Sequence, residues 1–342
     1  MKALTLTAPS QFTYGDAPEP ELAPHEVLVA VKACGICGSD IHGMDGSSGR
    51  RIPPIIMGHE ASGVIARLGS AVSGWETGAR VAFDSMIFCG QCEACQTGHT
   101  NLCPDRRVIG VSCPDYRRHG AFAEFVSIPQ HLLVPMPEGL SFEEAAFGEP
   151  VGVALHAVNL VKPAQGDTAV VVGAGLIGLL VVQALKRAGC SRVLAVDLDE
   201  KRLELAKELG AEHGIKASEP DVLAQVRAWA GGDGADIAME VVGITPTIQL
   251  AVRSVRKGGK VGAVGNLKPT VEFPLQEVVT REITIYGSCA SSGEYTEALQ
   301  AVAEGSIRVT PLISAKAPIS DGQAWFDKLH QAGDLLKVIL HP

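Results

Sequence analysis

Four cysteines stand close together in one short stretch of the chain, at Cys89, Cys92, Cys95 and Cys103. Their pattern is C-x2-C-x2-C-x7-C. Zinc prefers tetrahedral coordination by thiolates, and a site with four protein ligands leaves no position for a substrate. The spacing therefore predicts a structural zinc site within one loop, and the reactive chemistry has to lie elsewhere.

A second group of metal-ligand types is spread along the chain: Cys37, His59, Glu60 and Glu149. One thiolate, one imidazole and one or two carboxylates suit zinc and leave a coordination position open, as catalytic sites require. Each residue alone has an ordinary structural explanation, since Glu149, for instance, can favour a helix N-terminus. Together with the four-cysteine loop, they predict a catalytic zinc and hence two zinc ions per chain.

A glycine-rich turn predicts a nucleotide site. The run Gly173-Ala174-Gly175-Leu176-Ile177-Gly178 follows an apolar strand and opens a helix, the context in which GxGxxG binds a pyrophosphate. The next predicted strand ends at Asp197, about 20 residues on, where a carboxylate can accept the ribose hydroxyls of adenosine. Asp197 repels a 2′-phosphate and is followed by Leu198 rather than by an arginine that could bind one. NAD is therefore predicted over NADP. Arg202 is either a further contact or a solvated helix residue.

Composition narrows the class of protein. The chain has 342 residues, is 46% hydrophobic and carries a formal net charge of -9. Its length suits two domains, and its acidic balance argues against a nucleic-acid partner. The longest apolar run, 169–182, is too short to span a membrane, and the N-terminus lacks the apolar core of a signal peptide. A cytoplasmic location without nucleic-acid or membrane partners is therefore predicted.

The two halves of the chain have different patterns. Residues 1 to 150 are rich in proline, glycine and short alternating strands, which predicts a β-rich domain. From about 150 to 290, five apolar segments alternate with helical spacing, which predicts a parallel sheet. The predicted helices include Lys201 to Leu209, Thr247 to Lys257 (ended by Gly258-Gly259) and Tyr295 to Ala303.

Taken together, these motifs resemble the zinc-dependent medium-chain alcohol and polyol dehydrogenases over nearly the whole chain. Gly58-His59-Glu60 with Gly63, Gly69 and Val72 is similar to the family signature GHE-x2-G-x5-G-x2-V, and the four-cysteine loop is similar to the family's structural zinc lobe. The resemblance implies an α/β fold made of three parts: a GroES-like β-rich catalytic domain (1–152) with the zinc lobe at about 86–108, a Rossmann doubly wound parallel-sheet domain (153–288), and a C-terminal return to the catalytic domain (289–342).

The resemblance also implies roles for individual residues. Cys37, His59 and Glu60 hold the catalytic zinc, with Glu149 as a direct ligand or a partner through water. Ser39 contacts the substrate oxygen and passes its proton toward the cofactor ribose, with His42 as a possible exit; a turn hydroxyl is the alternative for Ser39. Asp40 is a candidate to orient a ligand histidine. The remaining cofactor contacts implied are Val242, Val264, Gly265, Ser288 and Cys289.

The sequence indicates the substrate less directly than it indicates the metal sites and the cofactor. Glu149-Pro150 stands where alcohol dehydrogenases place a second cysteine, which resembles the sorbitol dehydrogenase branch and implies oxidation of a secondary alcohol, polyol or vicinal diol to the ketone. However, Ala290 stands about where that branch carries the arginine of a Phe-Arg-Tyr triplet. Arg117, Arg118 and His119 either bind an acidic or phosphorylated substrate or form a solvated loop.

Alternatives therefore stay open. Within the superfamily, the alternative is a threonine-type or sugar-phosphate dehydrogenase. From another class, it is a non-catalytic NAD-binding zinc protein, or a nucleic-acid-binding zinc protein that the charge disfavours. Relatives are dimers or tetramers, so the resemblance implies a homodimer or homotetramer joined through the last strands of the nucleotide sheet, at about 282–286.

Overall fold

The computed structural model describes residues 1–331 and 335–342. The chain divides into two compact units. The first unit contains Met1–Glu149, Tyr295–Gly305 and Val309–Pro342, and the second contains Pro150–Glu294 and Ser306–Arg308.

Within the described residues, twenty strands are formed: β1 (Lys2–Ala8), β2 (Gln11–Asp16), β3 (Glu26–Gly35), β4 (Ile55–Ile56), β5 (Glu60–Leu68), β6 (Arg80–Phe83), β7 (Met86–Ile87), β8 (Arg107–Val108), β9 (Val111–Ser112), β10 (Arg117–Arg118), β11 (Phe125–Pro129), β12 (Leu133–Pro135), β13 (Thr168–Val172), β14 (Arg192–Asp197), β15 (His213–Lys216), β16 (Ala235–Glu240), β17 (Val255–Ala263), β18 (Thr284–Gly287), β19 (Ile313–Pro318) and β20 (Lys337–His341). The helices are α1 (Gly38–Gly43), α2 (Glu93–Gln96), α3 (Phe142–Ala145), α4 (Gly148–Val161), α5 (Leu176–Arg187), α6 (Glu200–Glu208), α7 (Val222–Trp229), α8 (Thr245–Ser254), α9 (Leu275–Thr280), α10 (Tyr295–Ala303) and α11 (Gly322–Gln331).

The first unit is built around a seven-stranded sheet in the order β12-β6-β5-β3-β20-β19, with β11 also paired to β3. The antiparallel pair β3 and β5 places Gly35 opposite Glu60. The C-terminal strand β20 pairs with β3 through Ile339 and Gly35. A core of apolar side chains, including the edge-to-face pair Phe122 and Phe326, packs this unit. The carboxyl end of β3 is thereby fixed between β5 and β20.

The second unit contains the predicted parallel sheet, which is confirmed. Its six strands run in the order β15-β14-β13-β16-β17-β18. This order reverses direction beside β13, and ligands of such sheets bind at the carboxyl ends of the strands near that point. Sequence reasoning missed β15, because the segment His213–Lys216 contains one buried apolar residue, Ile215, among polar ones and glycine.

One predicted helix boundary is wrong. The helix expected over Thr247 to Lys257 is α8, Thr245–Ser254, and Val255 already begins β17. Val255 and Val261 are both fully buried in the sheet core, so the chain must extend at the point where helical periodicity alone predicted another turn. Gly258 adopts a φ of 68° inside the strand rather than ending a helix.

Within the described part of the chain, no helix combines the length and apolar character that crossing a bilayer needs. The predicted cytoplasmic location stays a prediction.

Asp236 links three segments of the nucleotide unit. Its Oδ2 accepts hydrogen bonds from the amide and the hydroxyl of Thr168, both at 2.8 Å, and its Oδ1 accepts one from Nε of Arg256 at 2.7 Å. Burial alone raises the pKa of the Asp236 carboxyl, but the hydrogen bonds from Thr168 and Arg256 lower it below its ordinary value.

We expect Asp236→Asn to lower the free energy of unfolding by about 1–2 kcal/mol at pH 7. Because the folded-state pKa is lowered, this stabilisation is present above the ordinary carboxyl pKa of about 3.9 and is lost as pH falls through the folded value. Urea unfolding curves of the two proteins should therefore approach each other below about pH 4. Asp233→Asn, at an exposed position, is the control and should leave stability unchanged. A difference that is equally large at pH 7 and pH 3 would contradict the assignment.

Candidate functional site

The four cysteines of the first predicted zinc site come together around α2. Their Sγ atoms all lie within 4.8 Å of one another, and those of Cys89 and Cys95 are 3.9 Å apart. A tetrahedron with Zn–S bonds of about 2.3 Å has edges of about 3.8 Å, so this sulfur cluster fits zinc. Cys103 is buried and the other three are partly exposed.

Backbone amides already favour thiolate in this loop. Cys92 N donates to Sγ of Cys89, and Cys89 N donates to Sγ of Cys103, both at 3.4 Å. The amides of Gln91 and Cys92 lower the pKa of Cys89 to about 7, whereas loss of hydration raises the pKa of Cys95 to about 12. The metal-free cluster therefore holds protons at neutral pH, and zinc has to displace them on binding.

The second predicted metal site is assembled by the β3–β5 pair. Cys37 follows β3 as the N-cap of α1, while His59 immediately precedes β5 and Glu60 is its first residue. The register that places Gly35 opposite Glu60 brings both segments together, and one ligand atom from each of the three residues lies within 4.8 Å of the others. Sulfur, nitrogen and carboxylate donors in this arrangement fit zinc, and three of them leave a tetrahedral position free.

Asp40 faces the histidine of this cluster. Its Oδ1 is 3.5 Å from Nδ1 of His59, and it accepts hydrogen bonds from Nη2 of Arg51 at 2.8 Å and from Nε at 3.2 Å. Burial alone raises the pKa of the Asp40 carboxyl, but His59 and Arg51 lower it well below its usual range. A fixed negative charge therefore faces the imidazole, as expected where a carboxylate orients a metal-binding histidine.

Arg51 was missed by sequence reasoning. It is 4% exposed, and no spacing pattern distinguishes it from its exposed neighbour Arg50. Beyond Asp40, its Nη2 donates to the hydroxyl of Ser39 at 3.4 Å and its Nη1 donates to the carbonyl oxygen of Arg50 at 3.0 Å. Arg51 thus holds α1 against the segment that leads to His59.

The predicted proton-relay residues lie on α1. The hydroxyl of Ser39 donates to Sγ of Cys37 at 3.3 Å, which places it beside the metal ligands. His42 is exposed and three positions further along the helix, so the two side chains share one face. The proton relay through Ser39 and His42 stays a prediction.

Glu149 differs from the other predicted ligands. Among the described residues, the metal-ligand group contains Cys37, His59 and Glu60 but not Glu149, which lies in the first turn of α4. Loss of hydration raises the pKa of Glu149 to about 7; His59 opposes this rise and Glu60 adds to it. Before metal binds, Glu149 can therefore exchange a proton near neutral pH.

The glycine-rich turn has the geometry that a pyrophosphate needs. Gly173 has a φ of 102°, and a side chain at Gly178 would collide with the carbonyl oxygen of Gly173. The fold therefore requires these two glycines. A Cβ at Gly175 would meet no protein atom within 4 Å, so this glycine leaves space for a ligand instead. Gly175 is the N-cap of α5, and Leu176 and Ile177 form its first turn, where free amides favour phosphate.

Asp197 ends β14 beside this turn. Its Oδ2 accepts a hydrogen bond from the amide of Ala174 at 2.6 Å, and its Oδ1 accepts one from the amide of Asp199 at 2.9 Å. The carboxylate is therefore fixed against the phosphate-binding turn. Leu198 is 70% exposed, and Arg202 lies in the first turn of α6 with its amide bonded to Oδ1 of Asp199 at 3.3 Å.

The other predicted cofactor residues follow the remaining strands of the same sheet. Val242 comes after β16, and its amide donates to Oε1 of Glu240 at 3.0 Å. Val264 and Gly265 come after β17, and both amides donate to the carbonyl oxygen of Glu240, at 2.9 and 3.1 Å. Glu240, 1% exposed, was missed by sequence reasoning and joins these two loops.

Ser288 and Cys289 follow β18. The hydroxyl of Ser288 is buried without a hydrogen-bond partner among the described residues, whereas Cys289 is exposed. A buried hydroxyl at the carboxyl end of a strand is positioned to bind a polar ligand. All the predicted nucleotide contacts thus lie at one edge of the parallel sheet.

The basic segment is not a free loop. Arg117 and Arg118 form β10, and Nη2 of Arg118 donates to Oε1 of Glu26 at 2.6 Å and to the carbonyl oxygen of Ser127 at 2.8 Å. Nδ1 of His119 accepts the amide of Ile56 at 3.2 Å. Nε of Arg117 donates to the hydroxyl of Ser112 at 3.2 Å, so all three side chains make a hydrogen bond within the protein. Binding of an acidic or phosphorylated substrate by this segment stays a prediction.

Comparisons with known proteins agree across the chain. Residues 23–138 match the alcohol dehydrogenase GroES-like domain family, and residues 177–304 match the zinc-binding dehydrogenase family. The chain is 35% identical to the sorbitol dehydrogenase of Bacillus subtilis (strain 168), over 100% of this chain and 97% of the relative.

Two solved structures are also similar. The alcohol dehydrogenase of Thermus sp. ATN1 has a TM-score of 0.93 and 30% identity, over 100% of this chain and 99% of that one. A protein of Sinorhizobium meliloti 1021, assigned as a zinc-binding dehydrogenase and bound to NADP, has a TM-score of 0.91 and 33% identity, over 100% of this chain and 99% of that one.

The two metal clusters should load independently. We expect about two zinc ions per purified chain and about one in either Cys103→Ser or Cys37→Ser, because each cluster has its own ligands. Cys113→Ser, a cysteine outside both clusters, is the control and should keep two. Because protons compete with zinc for the thiolates, zinc in the lobe should be retained at neutral pH and lost in acid. Atomic emission on dialysed protein measures this, and a Cys103→Ser protein that retains two zinc ions would be the contrary result.

Proposed function

This chain belongs to the zinc-binding dehydrogenase family, and on that basis we propose that it oxidises a secondary alcohol of a polyol or vicinal diol to the ketone, with NAD as hydride acceptor. The observation that carries the proposal is the cluster of Cys37, His59 and Glu60, whose ligand atoms lie within 4.8 Å of one another. A binding protein without turnover has no use for three metal ligands that leave a position open beside a serine hydroxyl.

When bound, the metal would supply a Lewis acid for the substrate hydroxyl, and the nicotinamide would accept the hydride from the carbon that bears this hydroxyl. The chain supplies the rest. Cys37, His59 and Glu60 hold the metal, and Asp40 fixes the imidazole of His59. Ser39 takes up the proton of the substrate hydroxyl as it gives its own hydroxyl proton onward, and His42 is the proposed exit of that proton to solvent.

The assignment of Glu60 as third ligand rests on position. Glu60 is 1% exposed and lies in the ligand group, whereas Glu149 lies outside it. We assign Glu149 as a partner through water, with a carboxyl group that can take up a proton near neutral pH. The resemblance carried by the Glu149-Pro150 dipeptide left both roles open for Glu149, direct ligand or partner through water.

NAD is proposed as the cofactor because of Asp197. Its carboxylate lies 2.6 Å from the amide of Ala174 in the phosphate-binding turn, and no cation follows it at Leu198. A 2′-phosphate at the adenosine ribose would meet this negative charge. The NADP-bound structure among the similar proteins makes the choice worth testing directly.

We expect Asp197→Asn to reduce the preference for NAD over NADP, measured as the ratio of kcat/KM values, by about tenfold or more, because a like-charge contact worth ~1.4 kcal/mol or more is removed. Asp167→Asn, at the other end of β13, should leave the ratio unchanged. A wild-type enzyme that prefers NADP would overturn the cofactor assignment.

The substrate class can be tested with a panel of sugar alcohols, vicinal diols and their phosphates. We expect NADH formation with unphosphorylated polyols or diols, and a loss of about 10³-fold or more in kcat/KM for Cys37→Ser, because the catalytic metal contributes several kcal/mol. Cys113→Ser should retain activity. Turnover confined to phosphorylated substrates or to threonine would favour the alternative dehydrogenases, and a two-zinc protein inactive throughout would contradict the proposed function.

We further propose that the chain forms a homo-oligomer through β18. This strand is the edge of the parallel sheet, and exposed apolar side chains precede it at Leu267, Phe273, Leu275 and Val279. Unpaired edge strands with apolar neighbours favour pairing with another chain. Sedimentation should give a dimer or tetramer that dissociates in Phe273→Asp; a wild-type monomer at micromolar concentration would contradict this.

A further inference from the structure

A buried lysine lies directly beside the proposed catalytic metal site. Lys337 is 1% exposed, which is rare for a lysine unless it is paired. It is the first residue of β20, and Ile36 N bonds to the carbonyl oxygen of Val338 at 3.0 Å. The C-terminal strand therefore brings Lys337 to the end of β3, beside Ile36, the residue that precedes the metal ligand Cys37.

The ammonium group of Lys337 has two partners. It forms an ion pair with Oε2 of Glu60, and it donates to the carbonyl oxygen of Ile36 at 3.0 Å. The Glu60 side chain is 2% exposed, so this ion pair is excluded from water. In such surroundings a charged hydrogen bond is strong and geometrically restrictive.

The space around this pair is shaped for it. Gly35 stands opposite Glu60 in the β3–β5 register. A Cβ at Gly35 would collide with Oε2 of Glu60 and lie 3.2 Å from Cδ of Lys337. The absence of a side chain at Gly35 thus leaves room for both the carboxylate and the lysine, which is independent evidence that their arrangement is built into the fold.

The ion pair limits what Glu60 offers to a metal. A carboxylate can bind a metal through one oxygen or two. Because Lys337 engages Oε2, only one oxygen of Glu60 is free for the cluster with Cys37 and His59. The lysine also places a positive charge next to the metal position, which weakens the binding of a cation there.

We propose that Lys337 is a positioning residue of the metal site: by holding one oxygen of Glu60, it restricts this ligand to single-oxygen coordination and keeps the metal's coordination number low enough to admit a substrate. The proposal rests on the metal site of the proposed function. Low coordination matters because each additional ligand oxygen occupies a position that a substrate hydroxyl needs.

The test replaces the metal of this site with Co²⁺ while zinc stays in the four-cysteine lobe. In Lys337→Met, both oxygens of Glu60 become free and the positive charge is gone. We expect weaker visible absorption, as for cobalt of higher coordination number, and release of Co²⁺ to a chelator slower by about tenfold or more. Lys337→Arg keeps the charge and should resemble the wild type. Lys316→Met removes an exposed ion pair with Glu143 in the same unit and is the matched control.

A double-mutant comparison separates the positioning role of Lys337 from a general disturbance of the fold. In a Glu60→Gln background, Lys337→Met should change neither the spectrum nor the release rate further, because the interaction it removes is already absent. Circular dichroism verifies folding, and if Lys337→Met does not fold, Lys337→Gln takes its place, since its amide can still donate to Ile36.

The outcomes are distinguishable. A folded Lys337→Met protein with the spectrum and release rate of the wild type overturns the positioning role and leaves the proposed function intact. The same holds if Lys337→Met has its full effect in the Glu60→Gln background. A wild-type protein that binds no Co²⁺ outside the lobe overturns both the positioning role and the proposed metal site.

Discussion

Charge balance inside the first unit is the constraint on which the proposed reactive site depends. Two buried carboxylates, Asp40 and Glu60, lie next to the ligands Cys37 and His59, and each is paired with a buried cation. Arg51 pairs with Asp40, and Lys337 pairs with Glu60. An unpaired carboxylate in this interior would cost several kcal/mol or become protonated. The two cations therefore allow two buried carboxylates to lie beside the proposed metal position.

The sheet topology determines which residues can meet. Cys37 comes from the end of β3, His59 and Glu60 from the start of β5, and Lys337 from β20, almost at the end of the chain. Because β3 pairs with both β5 and β20, segments distant in sequence converge at one strand end. In the second unit, the parallel sheet brings the glycine-rich turn, Asp197 and the loops after β16 to β18 to one edge by the same logic. Each unit thus presents its functional groups at strand ends rather than within strands.

Sequence reasoning identified the residues whose spacing or type is characteristic of a particular kind of site. The four cysteines, the GHE triplet and the GxGxxG turn followed by Asp197 each form a local pattern with a physical reason for its spacing. Arg51, Lys337 and Glu240 could not be found this way, because an arginine, a lysine and a glutamate with no periodic partner read as solvated residues. Their roles depend on partners that are distant along the chain. Arg51 pairs with a residue 11 positions away, Lys337 with one 277 positions away, and Glu240 accepts from amides up to 25 positions away. The predicted C-terminal end of α8 is wrong for a related reason, because the burial of Val255 in the sheet overrides its local helical pattern.

The central claim is that the chain holds two different metal sites, of which the one at Cys37, His59 and Glu60 is reactive. Anomalous diffraction at the zinc absorption edge, from crystals of the protein as purified, tests it most directly. The account predicts two peaks per chain: one surrounded by the sulfur atoms of Cys89, Cys92, Cys95 and Cys103, and one bound by a sulfur, a nitrogen and a single oxygen of Glu60. A single peak in the four-cysteine loop, or a second peak bound by Glu149 in place of Glu60, would contradict it.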